Sequence, residues 1–143
     1  MSVAAILLPV FVQVGLTFAV LLRLGIVRAA AIRACAVEHD RVVIDETGWP
    51  ATVRQAGNCF RNQFELPVLF YTVMILALVT RQADGLFVLL AWVFTLSRIA
   101  HALVHVTSND IRLRFPSFLV GVLVLFVMWV IFALGILLSP AMP

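Results

Sequence analysis

Two groups of polar residues interrupt otherwise apolar sequence. Arg54, Asn58, Arg61, Asn62 and Glu65 form one, and Arg98, His101, His105 and Asn109 form the other. Their spacings of three and four residues place each group on one broad helix face. Ionisable groups at membrane depth are costly, so each marks a functional hypothesis. On antiparallel helices Glu65 and Arg98 fall at similar depths, roughly 10 Å in by the helical rise. Paired, each would relieve the other's desolvation. Arg54, Arg61, Arg112 and Arg114 have few acidic neighbours, and a net-positive polar cavity suits a small anionic ligand. The competing reading is structural: an ion pair, with Asn and His hydrogen-bonding between helices. The surplus of arginine favours a site, because interhelical bonding does not need it.

The elements that must carry these residues follow from composition. Hydrophobic residues make up 64% of the 143 and charged residues 12%. A soluble domain of this size could not hide so much apolar surface. At roughly 20 residues per span, four stretches read as transmembrane helices. They lie at about 3–27, 58–80, 85–106 and 117–138, with a polar loop at about 28–57. Long apolar runs replace the alternation of a β-barrel. The expected fold is an all-α integral membrane protein, a four-helix bundle forming one domain over residues 1–143. The first stretch is read as a span and not a cleaved signal, since no positive charge precedes it.

All ten basic residues are arginine. Arg28, Arg33, Arg41 and Arg54 fall in the first connection, Arg112 and Arg114 in the third, and only Arg81 in the second. The positive-inside rule puts connections one and three in the cytoplasm and both termini on the non-cytoplasmic side. With no basic tail or soluble module, a nucleic-acid partner is not expected. Cys35 and Cys59 fall on the reducing side and match no metal signature, so neither disulfide nor metal is expected. Cys59 reads as a buried thiol.

The first helix is expected to run on into the cytoplasm. A polar loop through Glu38, His39, Asp40, Arg41, Asp45 and Glu46 follows, then a Gly48-Trp49-Pro50 turn with Trp49 at headgroup level. A helical lead-in should precede the second span. Arg81 to Gly85 reads as a tight turn. Asn109 to Pro116 reads as a second, with Pro116 in the first turn of the last span. Gly15 and Ala19 suggest a close helix contact.

The segment Arg61-Asn62-Gln63-Phe64-Glu65-Leu66-Pro67 resembles the Asn-x-x-Glu-x-Pro signature in the second helix of the MAPEG family. These are the membrane-associated proteins of eicosanoid and glutathione metabolism. Arg98-x-x-His101-x-x-x-His105 and the four-span topology extend the likeness to nearly the whole chain, that of a bacterial-type member. The resemblance implies a homotrimer in the lipid bilayer, with glutathione held between subunits near the cytoplasmic side. Arg61, Asn62, Glu65 and Arg98 would hold the peptide, Glu65 taking its amino group. Arg54, Asn58 and His101 join this binding set from the two stripes. Arg114 falls where a catalytic arginine is expected, stabilising the thiolate.

Departures from the family pattern centre on hydroxyls. Phe115 follows Arg114, Phe118 stands where a Tyr is expected, and His105 occupies a Tyr-like position. Ser117 is near but out of register. His105 could serve as general base or donor at neutral pH, or be a structural histidine. The leading reading is a membrane glutathione-binding protein, a transferase or peroxidase acting on lipophilic small-molecule electrophiles. The alternative is a non-catalytic scaffold or accessory subunit that keeps the fold. A transporter is disfavoured by the expected absence of broken helices and paired repeats.

Overall fold

The computed structural model describes residues 2–37, 42 and 45–138, so Glu38, His39, Asp40 and Arg41 lie outside the described residues. The elements among the described residues are all helices. Helix α1 spans Val3–Arg33, α2 Ala51–Arg61, α3 Leu66–Val79, α4 Gly85–Val106 and α5 Ile111–Leu137. Among the described residues four units are long and apolar enough to cross a bilayer: α1, α2 with α3, α4, and α5. Ser2 caps α1 through the Ala5 N–H at 3.2 Å. As expected, the helix runs on past the end of the span near Val27, as far as Arg33. There Arg28 stacks over the Trp49 ring, 5.4 Å from its centroid, so the loop turn folds back on α1.

The second span is broken, which corrects the expectation of a continuous helix from about Asn58. Residues Asn62–Phe64 tighten into a 3₁₀ turn, and Glu65 leaves helical geometry at φ −94°, ψ −98°. Proline explains this. Pro67 has no N–H to give the Gln63 carbonyl, and its ring crowds that carbonyl. The helix restarts at Leu66, with Pro67 in the first turn where the missing donor costs nothing.

The third connection also differs from expectation. Asn109 takes the left-handed conformation at φ 52° and Asp110 caps α5 through the Arg112 N–H at 2.9 Å. Helix α5 therefore begins at Ile111, and Arg112, Arg114 and Pro116 are inside it. The Asp110 cap satisfies the helix end early, so the proline is accommodated within the helix and does not start it. At the opposite end Arg81 is left-handed, φ 57°, and Asp84 caps α4 through the Phe87 N–H at 2.8 Å.

Packing concentrates on α3, α4 and α5, where Phe70, Val73, Met74, Phe87, Phe94, Leu125 and Met128 are buried. Phe70 and Phe94 stack with centroids 4.5 Å apart. Gly121 permits the approach of α5 to α4, because a Cβ there would lie 2.9 Å from Ser97 Oγ. The contact suggested by Gly15 and Ala19 is not made within the chain. Space beside Gly15 is open and both residues are exposed.

Helix α1 is fixed to the broken span by an amide pair. Gln13 Nε2 donates to Gln63 Oε1 at 3.1 Å, and Gln63 Nε2 donates to the Cys59 carbonyl at 3.3 Å. Both side chains are shut away from the outside, at 0% and 1% exposure. Removing one partner strands the other, at a cost of about 1–3 kcal/mol, whereas replacing both can be nearly neutral. Gln13→Leu or Gln63→Leu alone should lower the thermal midpoint in detergent. The double variant should lose clearly less than the sum of the two.

Candidate functional site

The break in the second span and the start of α5 face each other at one end of the bundle. Between them is a cleft of about 350 Å³ lined by Asn58, Arg61, Asn62, Glu65, His105 and Arg114. Six of the nine residues singled out from sequence thus share one space. Arg54 lines an adjoining cleft of about 450 Å³ with Glu46, Gln55 and Asn109, and Asn58 and Arg61 border both. Arg61 donates to the Asn58 side chain and forms an ion pair with Glu46 at 3.0 Å. Arg114 Nη1 donates to Asn109 Oδ1 at 2.5 Å, which fixes its guanidinium beside the turn.

Arg98 and His101 are behind this cleft and do not line it. Arg98 is completely buried. Its Nη2 donates to the Asn62 carbonyl at 3.1 Å, while Nε and Nη1 have no partner. The expected Glu65–Arg98 ion pair is not formed. Glu65 is exposed at the break, and the 3₁₀ turn offers Arg98 a backbone carbonyl in place of the carboxylate. Arg98 also lies 5.8 Å from the Phe118 ring centroid, a cation–π distance.

His101 ties the two walls together. Its Nδ1 is 3.1 Å from the Arg114 carbonyl, and Nε2 is 3.4 Å from Asn62 Nδ2. A carbonyl only accepts, so Nδ1 carries the hydrogen and Nε2 accepts from the Asn62 amide. This tautomer positions both Asn62 and the first turn of α5. His105 is buried, meets His101 edge-on at 5.7 Å, and has no partner for Nδ1. Its backbone carbonyl accepts from Gln55 Nε2 at 2.5 Å.

The hydroxyl departures have a geometric outcome. Phe118 packs on His101, 5.7 Å between centroids, and does not border the cleft. Phe115 is exposed. Ser117 Oγ bonds the Leu113 and Arg114 carbonyls at 3.2 and 2.8 Å, within its own helix. Cys59 is buried against the Ala102 carbonyl at 3.9 Å, and Cys35 is exposed. Sequence reasoning missed Gln55, Gln63 and Glu46 as structural partners. Gln13 inside an apolar run was the one available signal that a buried amide partner was needed.

A family model described as the MAPEG family matches residues 6–134 of this chain. The chain belongs to the MAPEG family. The family makes it a membrane protein of the eicosanoid and glutathione metabolism type, and the four apolar helices among the described residues fit an integral multi-pass topology. A search of the curated proteins and of the solved structures gives no match to it.

Within this MAPEG protein the buried guanidinium has a stability consequence. An interior charge without a paired carboxylate is usually less favourable than a packed apolar side chain of similar volume. Arg98→Met should therefore raise the thermal midpoint of the ligand-free protein in detergent. The same variant should lose the extra stabilisation that an anionic ligand gives the wild type. A second outcome concerns Arg61. Glu46→Gln removes the carboxylate from its guanidinium, and Arg61 should then react faster with an arginine-directed dicarbonyl reagent, read by peptide mass spectrometry.

Proposed function

We propose that this MAPEG protein binds glutathione in the cleft between the second-span break and α5, and presents its thiol to lipophilic electrophiles arriving from the bilayer. What carries the reading is the convergence of Arg61, Glu65 and Arg114 on one space with two asparagine amides. The donor set fits the ligand. Glutathione as the thiolate has two carboxylates, one ionised sulfur and one ammonium, and the two adjoining clefts offer the guanidinium groups of Arg54, Arg61 and Arg114 and the carboxylate of Glu65. Arg61 takes a carboxylate, Glu65 takes the amino group, and Asn58 and Asn62 bond the peptide. Arg54 extends positive charge into the adjoining cleft, while Arg98 and His101 hold Asn62 in position.

The chemistry that bound glutathione supplies is a thiol nucleophile. Arg114, held by Asn109, stabilises negative charge at sulfur. His105, which borders the cleft, is the residue that takes the thiol proton. The active assembly is a homotrimer, a reading that rests on the family resemblance, and the arginine distribution supports this end of the bundle in the cytoplasm and both termini on the other side.

A specific observation favours a second reading, a non-catalytic scaffold. Ser117 is bonded within its helix and Phe118 packs against His101, so no hydroxyl borders the cleft next to Arg114. One titration separates the two. Purified protein should hold glutathione as thiolate, read by ultraviolet absorbance across pH. Arg114→Ala should lose the thiolate signal, and Glu65→Ala should weaken binding about tenfold or more, the loss of one charge-assisted contact. No binding by the wild type, with a stoichiometric partner co-purifying, would establish the scaffold.

A further inference from the structure

On the other side of α2 from the cleft, a groove runs between α1 and α4. Its deeper part is an apolar hollow of about 170 Å³ bordered by Leu16, Ala19, Val20, Ala102 and Leu103. Its upper part is a polar notch of about 150 Å³ bordered by Thr52, Gln55 and Thr107. Arg23 and Val106 border both parts. The two hollows are therefore one groove with a polarity gradient along the helices. From Leu16 to Arg23 the gradient covers roughly 10 Å of helix rise.

Three observations describe what would lie there. The groove opens outward: Arg23 and Ala19 are exposed, and Leu103 is 57% exposed. The buried Ala102 forms its floor, and the exposed Ala19 borders its mouth with a small side chain. Arg23 has no carboxylate partner among the described residues. It is also placed inward on α1, ten residues before the helix ends at Arg33. A cation above an apolar slot, at the arginine-rich end of a bilayer-spanning bundle, complements a molecule with an anionic head and an apolar tail.

We infer that this groove holds one anionic phospholipid, with its phosphate on Arg23 and Thr52 and the start of an acyl chain between α1 and α4. The site is separate from the glutathione cleft and does not depend on that reading. It touches the cleft only through Gln55, whose side chain borders the notch and bonds the His105 carbonyl. Thr52 is free to donate, since no hydrogen bond engages its side chain among the described residues.

The test uses the full chain in detergent, titrated with phosphatidylglycerol and read by native mass spectrometry. Expected are one retained lipid per chain, weaker retention of phosphatidylcholine, and a loss of about fivefold in Arg23→Gln, the effect of one surface cation on an anionic lipid. Ala19→Leu, which narrows the mouth of the groove and leaves the charge, should reduce retention as well. Arg33→Gln, on the same helix beyond the groove, should not. Equal losses in Arg33→Gln and Arg23→Gln would overturn the site in favour of general basic attraction. Unchanged retention in Ala19→Leu would remove the acyl chain from the groove. Full displacement by inorganic phosphate would make it a free-anion site. Absence of any retained lipid, with an Ala19→Cys variant cross-linking to another copy, would assign the groove to a subunit contact.

Discussion

A guanidinium fully enclosed among helices needs oxygen acceptors, and a regular helix has none to spare, because its interior carbonyls are already bonded. The second span meets this need by breaking. Pro67 withdraws a donor from the Gln63 carbonyl, the chain tightens over Asn62–Phe64, and the Asn62 carbonyl bonds Arg98. The same turn brings the Asn62 side chain to His101 and leaves Glu65 at the cleft. His101 passes the constraint to the Arg114 carbonyl and so to the first turns of α5. Binding residues on two spans are held by one interrupted helix and one histidine.

Much of this is legible in the sequence, and the remainder is not for definable reasons. Span existence follows from apolar length, which the bilayer imposes directly. The convergence of Asn58, Arg61, Asn62 and Glu65 on one cleft follows from helical spacing, which a single 3₁₀ turn alters little. Partner choice is another matter. Depth alone cannot tell a carboxylate from a carbonyl as the acceptor for Arg98, and the local turn geometry selects the carbonyl. Pro116 is misread because Pro at a helix start is common, while the Asp110 cap lies six residues earlier. Ser117 shows a similar limit: a hydroxyl at a suggestive position is satisfied by its own backbone.

The amphipathic helix α2 distributes these roles. Arg54, Asn58 and Arg61 face the clefts, and Val53 and Ala56 pack on α1 near Leu24 and Ala31. Thr52 and Gln55 turn toward the groove beside Arg23. The polar end of the bundle is therefore built around one short helix whose register decides which side chain reaches which space. Glu46 extends that register into the loop by holding Arg61 from outside. Exposed ion pairs of this type contribute little stability, so this contact exchanges readily with another anion.

The amide bridge between Gln13 and Gln63 has a meaning for biosynthesis. Its partners are separated by 50 residues. At roughly 5–20 residues per second of translation, Gln63 emerges about 3–10 s after Gln13. Throughout that interval the nascent first span contains an amide that pure hydrocarbon would leave unbonded. The insertion machinery, or water at its lateral opening, must shelter α1 until the second span arrives. The first two spans are thus expected to enter the bilayer as a pair.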